Sequence, residues 1–145
     1  MECQDAKYVF IPYNPDFHWV LLVIEPKKMI VHYLDPLHHK PCEDLKDIVN
    51  MALRISAKKT SKREPSWQLV QCPRQEGGFE CGYFVMRFIK EIIFILQLLL
   101  QRYYKFNELY IFGDKKTYSQ VEFDEIRGEW ATFVLQLIMN HVDAS

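Results

Sequence analysis

QEGGFECGYFVMRF, residues 75–88, changes character at its centre. The first half is polar and carries Gly77 and Gly78. The second half is apolar and opens on Cys81-Gly82. A glycine-bearing loop that runs straight into such a stretch places one cysteine at the first turn of a buried helix. Unpaired N–H groups and the positive end of the helix dipole favour a thiolate there. A thiolate is a nucleophile. It then needs a base, a group that orients the base, and a donor for the oxyanion.

The frame around this stretch is ordinary. A chain of 145 residues, 49% hydrophobic and 26% charged, suits one compact domain over residues 1–145. A formal net charge of −1 points to neither nucleic acid nor a membrane surface. Cys3, Cys42, Cys72 and Cys81 are too few and too scattered for a disulfide scaffold, so they are read as reduced thiols in the nucleus or cytoplasm. The start, MECQDAKYVF, lacks the basic and apolar regions of a signal peptide. No repeat, low-complexity tract or linker interrupts the chain.

Working outward, residues 8–11 form a short β-type run, and the turn formers of PYNPD, residues 12–16, predict a loop. HWVLLVI, residues 18–24, predicts a central strand covered on both faces. EPKK is a turn, and MIVHYL, residues 29–34, is a second strand closed by Asp35-Pro36. With Pro26 and Lys27 at the centre of the hairpin turn, Ile24 pairs with Met29 and His18 with Asp35. Directly opposed residues share a face with Cβ atoms roughly 4.5–5.5 Å apart, so a histidine and an aspartate meet at the open end.

A helix is predicted over residues 43–56, with Leu45, Ile48, Val49, Ala52 and Ile55 as its apolar face. KKTSKREP, residues 58–65, is a basic connector, and WQLVQ, residues 67–71, a third strand. The helix from Cys81 is predicted to reach residue 103. Arg87, Lys90, Glu91, Gln97 and Gln101 form a narrow polar stripe on it, and Phe94 lies within that stripe as a candidate exposed apolar patch. IIFILQLLL is too short and interrupted to span a bilayer. Residues 106–118 connect to Ser119-x-x-Glu122, a capping box with Tyr118 and Phe123 as its staple. The last helix is predicted to reach residue 141, with Ile126, Trp130, Phe133, Val134, Leu137 and Ile138 facing inward.

His18, Asp35, Gln75 and Cys81 together make the set a cysteine protease uses: base, orienter, side-chain amide donor and nucleophile. Each also has a plain alternative. A free cysteine is most often a small buried hydrophobe, Asp35-Pro36 can be only a turn, and Trp19 can be core. A metal module built on Cys72, Cys81, His38 and His39 is a further alternative. It lacks C-x2-C or H-x3-H spacing, and two adjacent histidines suit one ion poorly.

HW-x-L-x-V-I at residues 18–24, YLDP at 33–36 and CPRQ-x-GG-x-x-CG-x-x-VM at 72–86 resemble the ubiquitin-like (SUMO) protease family of cysteine peptidases. EIRGEWATFV, residues 125–134, resembles the final helix of its plant, transposon-associated branch. The resemblance implies a papain-like α+β fold. In it a small, mostly antiparallel sheet packs against a central helix that begins at the catalytic cysteine. It implies His18 as base, Asp35 as orienter, Cys81 as nucleophile and Gln75 as oxyanion donor. Trp19 would line a narrow tunnel for a Gly-Gly C-terminus. Gly78, with Gly77, would let the loop turn, and Gly82 would leave room around the nucleophile. The implied partner is SUMO or another ubiquitin-like protein and its conjugates, handled by a monomer with no cofactor, metal, nucleic acid or membrane. Two departures stand out. Glu80 replaces the usual aspartate before Cys-Gly, and the family's N-terminal helical portion is expected to be missing. The second of these keeps open a remnant that binds a partner without turnover.

Overall fold

Residues 20–25 set the layers. In the computed structural model, which describes residues 6–57, 64–99 and 111–142, they form strand β2 (Val20–Glu25), buried at every position. With β1 (Val9–Tyr13), β3 (Ile30–Leu34) and β4 (Ser66–Leu69) it makes a sheet in the order β1-β2-β3-β4. The first two pairings are antiparallel and β3 with β4 is parallel. Leu21 and Val23 enter one apolar cluster. Val20, Leu22 and Ile24 enter another on the opposite face. Helix α1 (Glu43–Ser56) covers the second cluster through Leu45 and Leu53, and α2 (Cys81–Leu99) covers the first through Phe84, Val85, Phe88 and Ile92. This is the expected α+β arrangement, with a buried strand carrying apolar residues at both parities.

Several local expectations are corrected. The β2–β3 ladder pairs Ile24 with Val31 and Leu21 with Leu34, not Ile24 with Met29. The chain does not turn in two residues. It makes a 3-10 turn over Pro26–Lys28 and leaves it through Met29 in the left-handed region, φ 57°. The slip is two residues, so every side chain keeps its face, but His18 now lies beyond the end of β2 rather than opposite Asp35 in the ladder. Strand β1 continues through Pro12 to Tyr13, where a loop was expected. As an edge strand it tolerates a residue without an N–H. Strand β4 ends at Leu69, earlier than expected.

Helix α1 has the predicted bounds but a rotated face. Leu45 and Leu53 are buried and Val49 packs beside them, while Ile48 and Ile55 are exposed. The i, i+4, i+8 row rather than the i, i+3 row meets the sheet, and Asn50 Oδ1 accepts from Trp67 Nε1 at 2.9 Å alongside it. Helix α3 (Gln120–Val142) starts as expected. Ser119 N donates to Glu122 Oε2 at 2.8 Å, Glu122 N donates back to Ser119 Oγ at 3.4 Å, and the Tyr118 and Phe123 rings lie 6.3 Å apart. Phe123 and Ile126 are buried, but Trp130, Phe133, Val134, Leu137 and Ile138 are all exposed. Helical spacing says which residues share a face, not whether anything covers it. Arg87 is not a wet edge either. It is buried between α2 and α3, with Glu91 and Glu122 at 3.4 Å and Glu125 at 3.6 Å. Phe94 is exposed, as its place in the polar stripe implies. The expected end of α2 near residue 103, most of the basic connector and part of the 106–118 connector lie outside the described residues. Among the described residues no helix is long and apolar enough to cross a membrane.

One buried polar pair sits in the sheet. His32, fully buried on β3, shares a 2.9 Å hydrogen bond between its Nε2 and Glu25 Oε1, and Lys28 Nζ reaches Glu25 Oε2 at 2.5 Å. Burial holds the His32 imidazole below its ordinary value. Burial alone would raise the Glu25 carboxyl, but the bonds from Lys28 and His32 hold it low. Both groups therefore bind fewer protons folded than unfolded, so their contribution to stability is lost as pH falls. The loss begins below the ordinary histidine value near 6.5 and continues below the ordinary glutamate value near 4.5. Urea midpoints measured from pH 7.5 to pH 4 should fall, and His32→Gln should flatten the upper part of that slope.

Candidate active site

Asp35 follows the last residue of β3, and its carboxylate is buried. Its Oδ1 accepts from Leu37 N at 2.7 Å, and its Oδ2 from His39 N at 3.2 Å. These bonds aim the carboxylate, and His18 meets it: Nε2 to Oδ1 is 2.6 Å. His18 arrives there from a strained turn. Asp16 and Phe17 both have left-handed φ values, 49° and 64°, and His18 N donates to Pro15 O at 3.0 Å. Non-glycine residues in that region are uncommon, and two in succession before His18 hold the imidazole off the ladder. With Nε2 directed at Asp35, Nδ1 is the nitrogen left for a reacting group.

Cys81 is the first residue of α2 and is buried. The first turn of the helix closes with Phe84 N donating to Glu80 O at 3.1 Å. Trp19 links the two halves of the site. A Cβ built on Gly82 would lie 3.5 Å from Trp19 Cδ1, so the step His18-Trp19 lies beside the step Cys81-Gly82. That is ordinary contact, so the free protein has room for a methyl at Gly82. A Cβ on Gly77 would meet the Glu80 carboxylate, the end of a side chain that can turn aside. Gly78 has nothing within 4 Å of such an atom, and neither it nor Gly77 has a positive φ. The expectation that tight turning requires these two glycines is therefore corrected.

Gln75 is buried, its N donates to Pro36 O at 2.8 Å, and its Nε2 donates to Gly77 O at 2.7 Å. A primary amide has two N–H groups, so one remains for an incoming oxygen. Two further ties join the loop before Cys81 to the hairpin end, and residue spacing gave no sign of them. His38 Nε2 bonds Cys72 O at 2.8 Å, and Cys72 Sγ donates to Asp35 O at 3.6 Å. Burial, and then the Asp35 charge, push the Cys72 thiol up to about 12. His38 and Cys72 thus tie the backbones of the two loops together. The cluster of possible metal ligands among the described residues is a different one: His18, Asp35 and His39. Cys42, Cys72 and Cys81 are free thiols.

The pattern of the Ulp1 protease family, C-terminal catalytic domain, matches residues 2–102, more than half of the chain. This chain belongs to the Ulp1 protease family. Among curated proteins, ubiquitin-like-specific protease 1D of Arabidopsis thaliana is 32% identical over 110 residues, 59% of this chain and 19% of that protein. Putative ubiquitin-like-specific protease 1B of the same plant is 28% identical over 91 residues, covering 59% of this chain and 27% of its own length. The chain therefore matches only about a fifth to a quarter of these curated relatives. Two solved structures share the fold. A de-sumoylating protease aligns with TM-score 0.60 at 15% identity, over 97% of this chain and 60% of that one. The SUMO protease Ulp1 with its catalytic cysteine oxidized to a sulfonic acid aligns with TM-score 0.55 at 19% identity, over 88% and 52%. A papain-like Ulp1-family fold is the architecture that carries the site.

Proposed function

We propose that this chain is a cysteine peptidase that cleaves after the C-terminal Gly-Gly of SUMO or a similar ubiquitin-like modifier. The observation that carries the reading is the His18–Asp35 hydrogen bond of 2.6 Å, set beside a cysteine that opens the central helix of a Ulp1-family fold. Cys81 Sγ loses its proton to His18 Nδ1 and attacks the carbonyl carbon of the second glycine, forming a C–S bond. Asp35 keeps the other ring nitrogen protonated and stabilises the imidazolium. The Gln75 amide and the Cys81 N–H stabilise the oxyanion. The C–N bond breaks as His18 returns its proton to the leaving amine, and water hydrolyses the thioester. Trp19 sits beside Gly82 as one wall of the channel for the two glycines. Free thiols suit a reducing compartment, nucleus or cytoplasm.

Labelling with a SUMO whose C-terminus carries an electrophile tests this. A covalent adduct that disappears in Cys81→Ser is expected. No adduct from folded protein would sink the activity. A second reading, a binding remnant without turnover, is favoured by one feature: the Gln75 amide donates to Gly77 O, within its own loop. Adduct formation without release of product from a modifier fused through its Gly-Gly would support that reading instead.

A further inference from the structure

Beside His18 and Asp35 stands a residue that the proposed reaction does not use. His39 has a side chain that is 69% exposed, and its Nδ1 lies 3.8 Å from Asp35 Oδ2. Its ring meets the His18 ring edge-on, with centroids 6.2 Å apart and planes at 62°. One ligand atom from each of His18, Asp35 and His39 can be chosen so that all lie within 4.8 Å of one another. Zinc binds imidazole nitrogen and carboxylate oxygen at roughly 2.0–2.2 Å, which puts two ligands of a tetrahedral ion roughly 3.3 Å apart. The His18 contact of 2.6 Å is to Asp35 Oδ1 and has to open by about 0.7 Å, while His39 lies 3.8 Å from the other carboxylate oxygen, Oδ2, and has to turn toward the ion. The exposed His39 side chain is free to make that adjustment by rotation. The buried carboxylate is already aimed by Leu37 N and His39 N, and such aiming of a ligand from outside raises metal affinity.

The geometry points to a site for a divalent, imidazole-preferring metal ion, Zn2+ above all, formed by His18, Asp35 and His39. The fourth position is open to water. Binding takes the Nε2 lone pair of His18, so the ring proton it shared with Asp35 moves to Nδ1 and the imidazole becomes a metal ligand. The ion would be a reversible inhibitor and not a cofactor, because it removes the base from Cys81. That inhibitory consequence rests on the proposed peptidase reading. The binding itself does not.

Two measurements separate the layers. Equilibrium dialysis against Zn2+, and the visible absorption of Co2+ bound in its place, are made on Cys3→Ser/Cys42→Ser/Cys81→Ser protein, which removes the nucleophile and the exposed thiol among the described residues, with Cys3. One ion per chain is expected, with a tetrahedral cobalt spectrum. His39→Ala, which keeps the backbone bond to Asp35, should weaken binding by roughly tenfold or more. Equal binding with and without the His39 side chain overturns the site. In protein that retains Cys81, Zn2+ should block probe labelling and a chelator restore it, while His39→Ala labels normally and tolerates roughly tenfold more zinc. Binding that depends on His39 in a protein that never labels leaves the metal site standing and the peptidase reading fallen. Labelling that zinc blocks equally in both proteins does the reverse.

Discussion

Asp35→Asn is expected to lower kcat/KM on a modifier joined through its Gly-Gly by roughly 10³–10⁴-fold, the loss seen when the orienting carboxylate of a catalytic triad becomes an amide. The reason lies in the three bonds the carboxylate accepts: from His18 Nε2 at 2.6 Å, Leu37 N at 2.7 Å and His39 N at 3.2 Å. An asparagine has one oxygen. If it faces His18 and Leu37, its NH2 meets the His39 N–H, donor against donor. If it faces His39, its NH2 meets His18 Nε2, which must then give up its hydrogen. The imidazole proton moves to Nδ1, the nitrogen proposed as base toward Cys81. Either arrangement leaves a buried donor unmatched, at a cost of about 1–3 kcal/mol. Thermal midpoint and turnover measured together separate the two effects. A variant that keeps more than about a tenth of wild-type turnover would remove Asp35 from the orienting role.

His18 and Asp35 meet by a route that hairpin pairing does not predict. A two-residue turn put them opposite each other in the ladder. The real turn includes Pro26–Lys28 and Met29, and the register slips by two. The two side chains still meet, because the left-handed turn at Asp16 and Phe17 brings His18 to Asp35 from beyond the strand end. The buried strand was legible because VLLVI is apolar at both parities. The start of α3 was legible because Ser119 and Glu122 are local chemistry. The inward face of α1 was legible only to within a turn. The covering of α3 was not legible at all, since Trp130 and Phe133 have the same spacing whether or not anything lies over them. The ties from His38 and Cys72 to loop carbonyls were also hidden. They use backbone acceptors, which carry no sequence signature, and His38 takes a left-handed φ of 61° that histidine rarely announces.

Phe88→Ala is expected to cost about 3–5 kcal/mol of folding stability, read as a fall in the urea midpoint. Phe88 is fully buried on the inner face of α2. Its ring lies 6.1 Å from Phe84, 5.2 Å from Phe112 and 6.2 Å from Tyr118. It therefore joins the central helix to the segment before α3 and to the residue that staples the start of α3. Truncation leaves a ring-sized void between three elements anchored elsewhere, by the sheet, by the Arg87 bridges and by the capping box. A void that cannot collapse is at the costly end of the range. Total stabilities of about 5–15 kcal/mol leave little margin after such a loss. The site would feel it, because Phe84 in the same cluster is one turn from Cys81. Turnover of this variant should fall more steeply on warming than that of the wild type. Phe94→Ala on the same helix removes an exposed ring and should change stability by no more than about 0.5 kcal/mol. If Phe88→Ala were as mild as Phe94→Ala, the aromatic cluster would not be what holds the cysteine helix against the sheet.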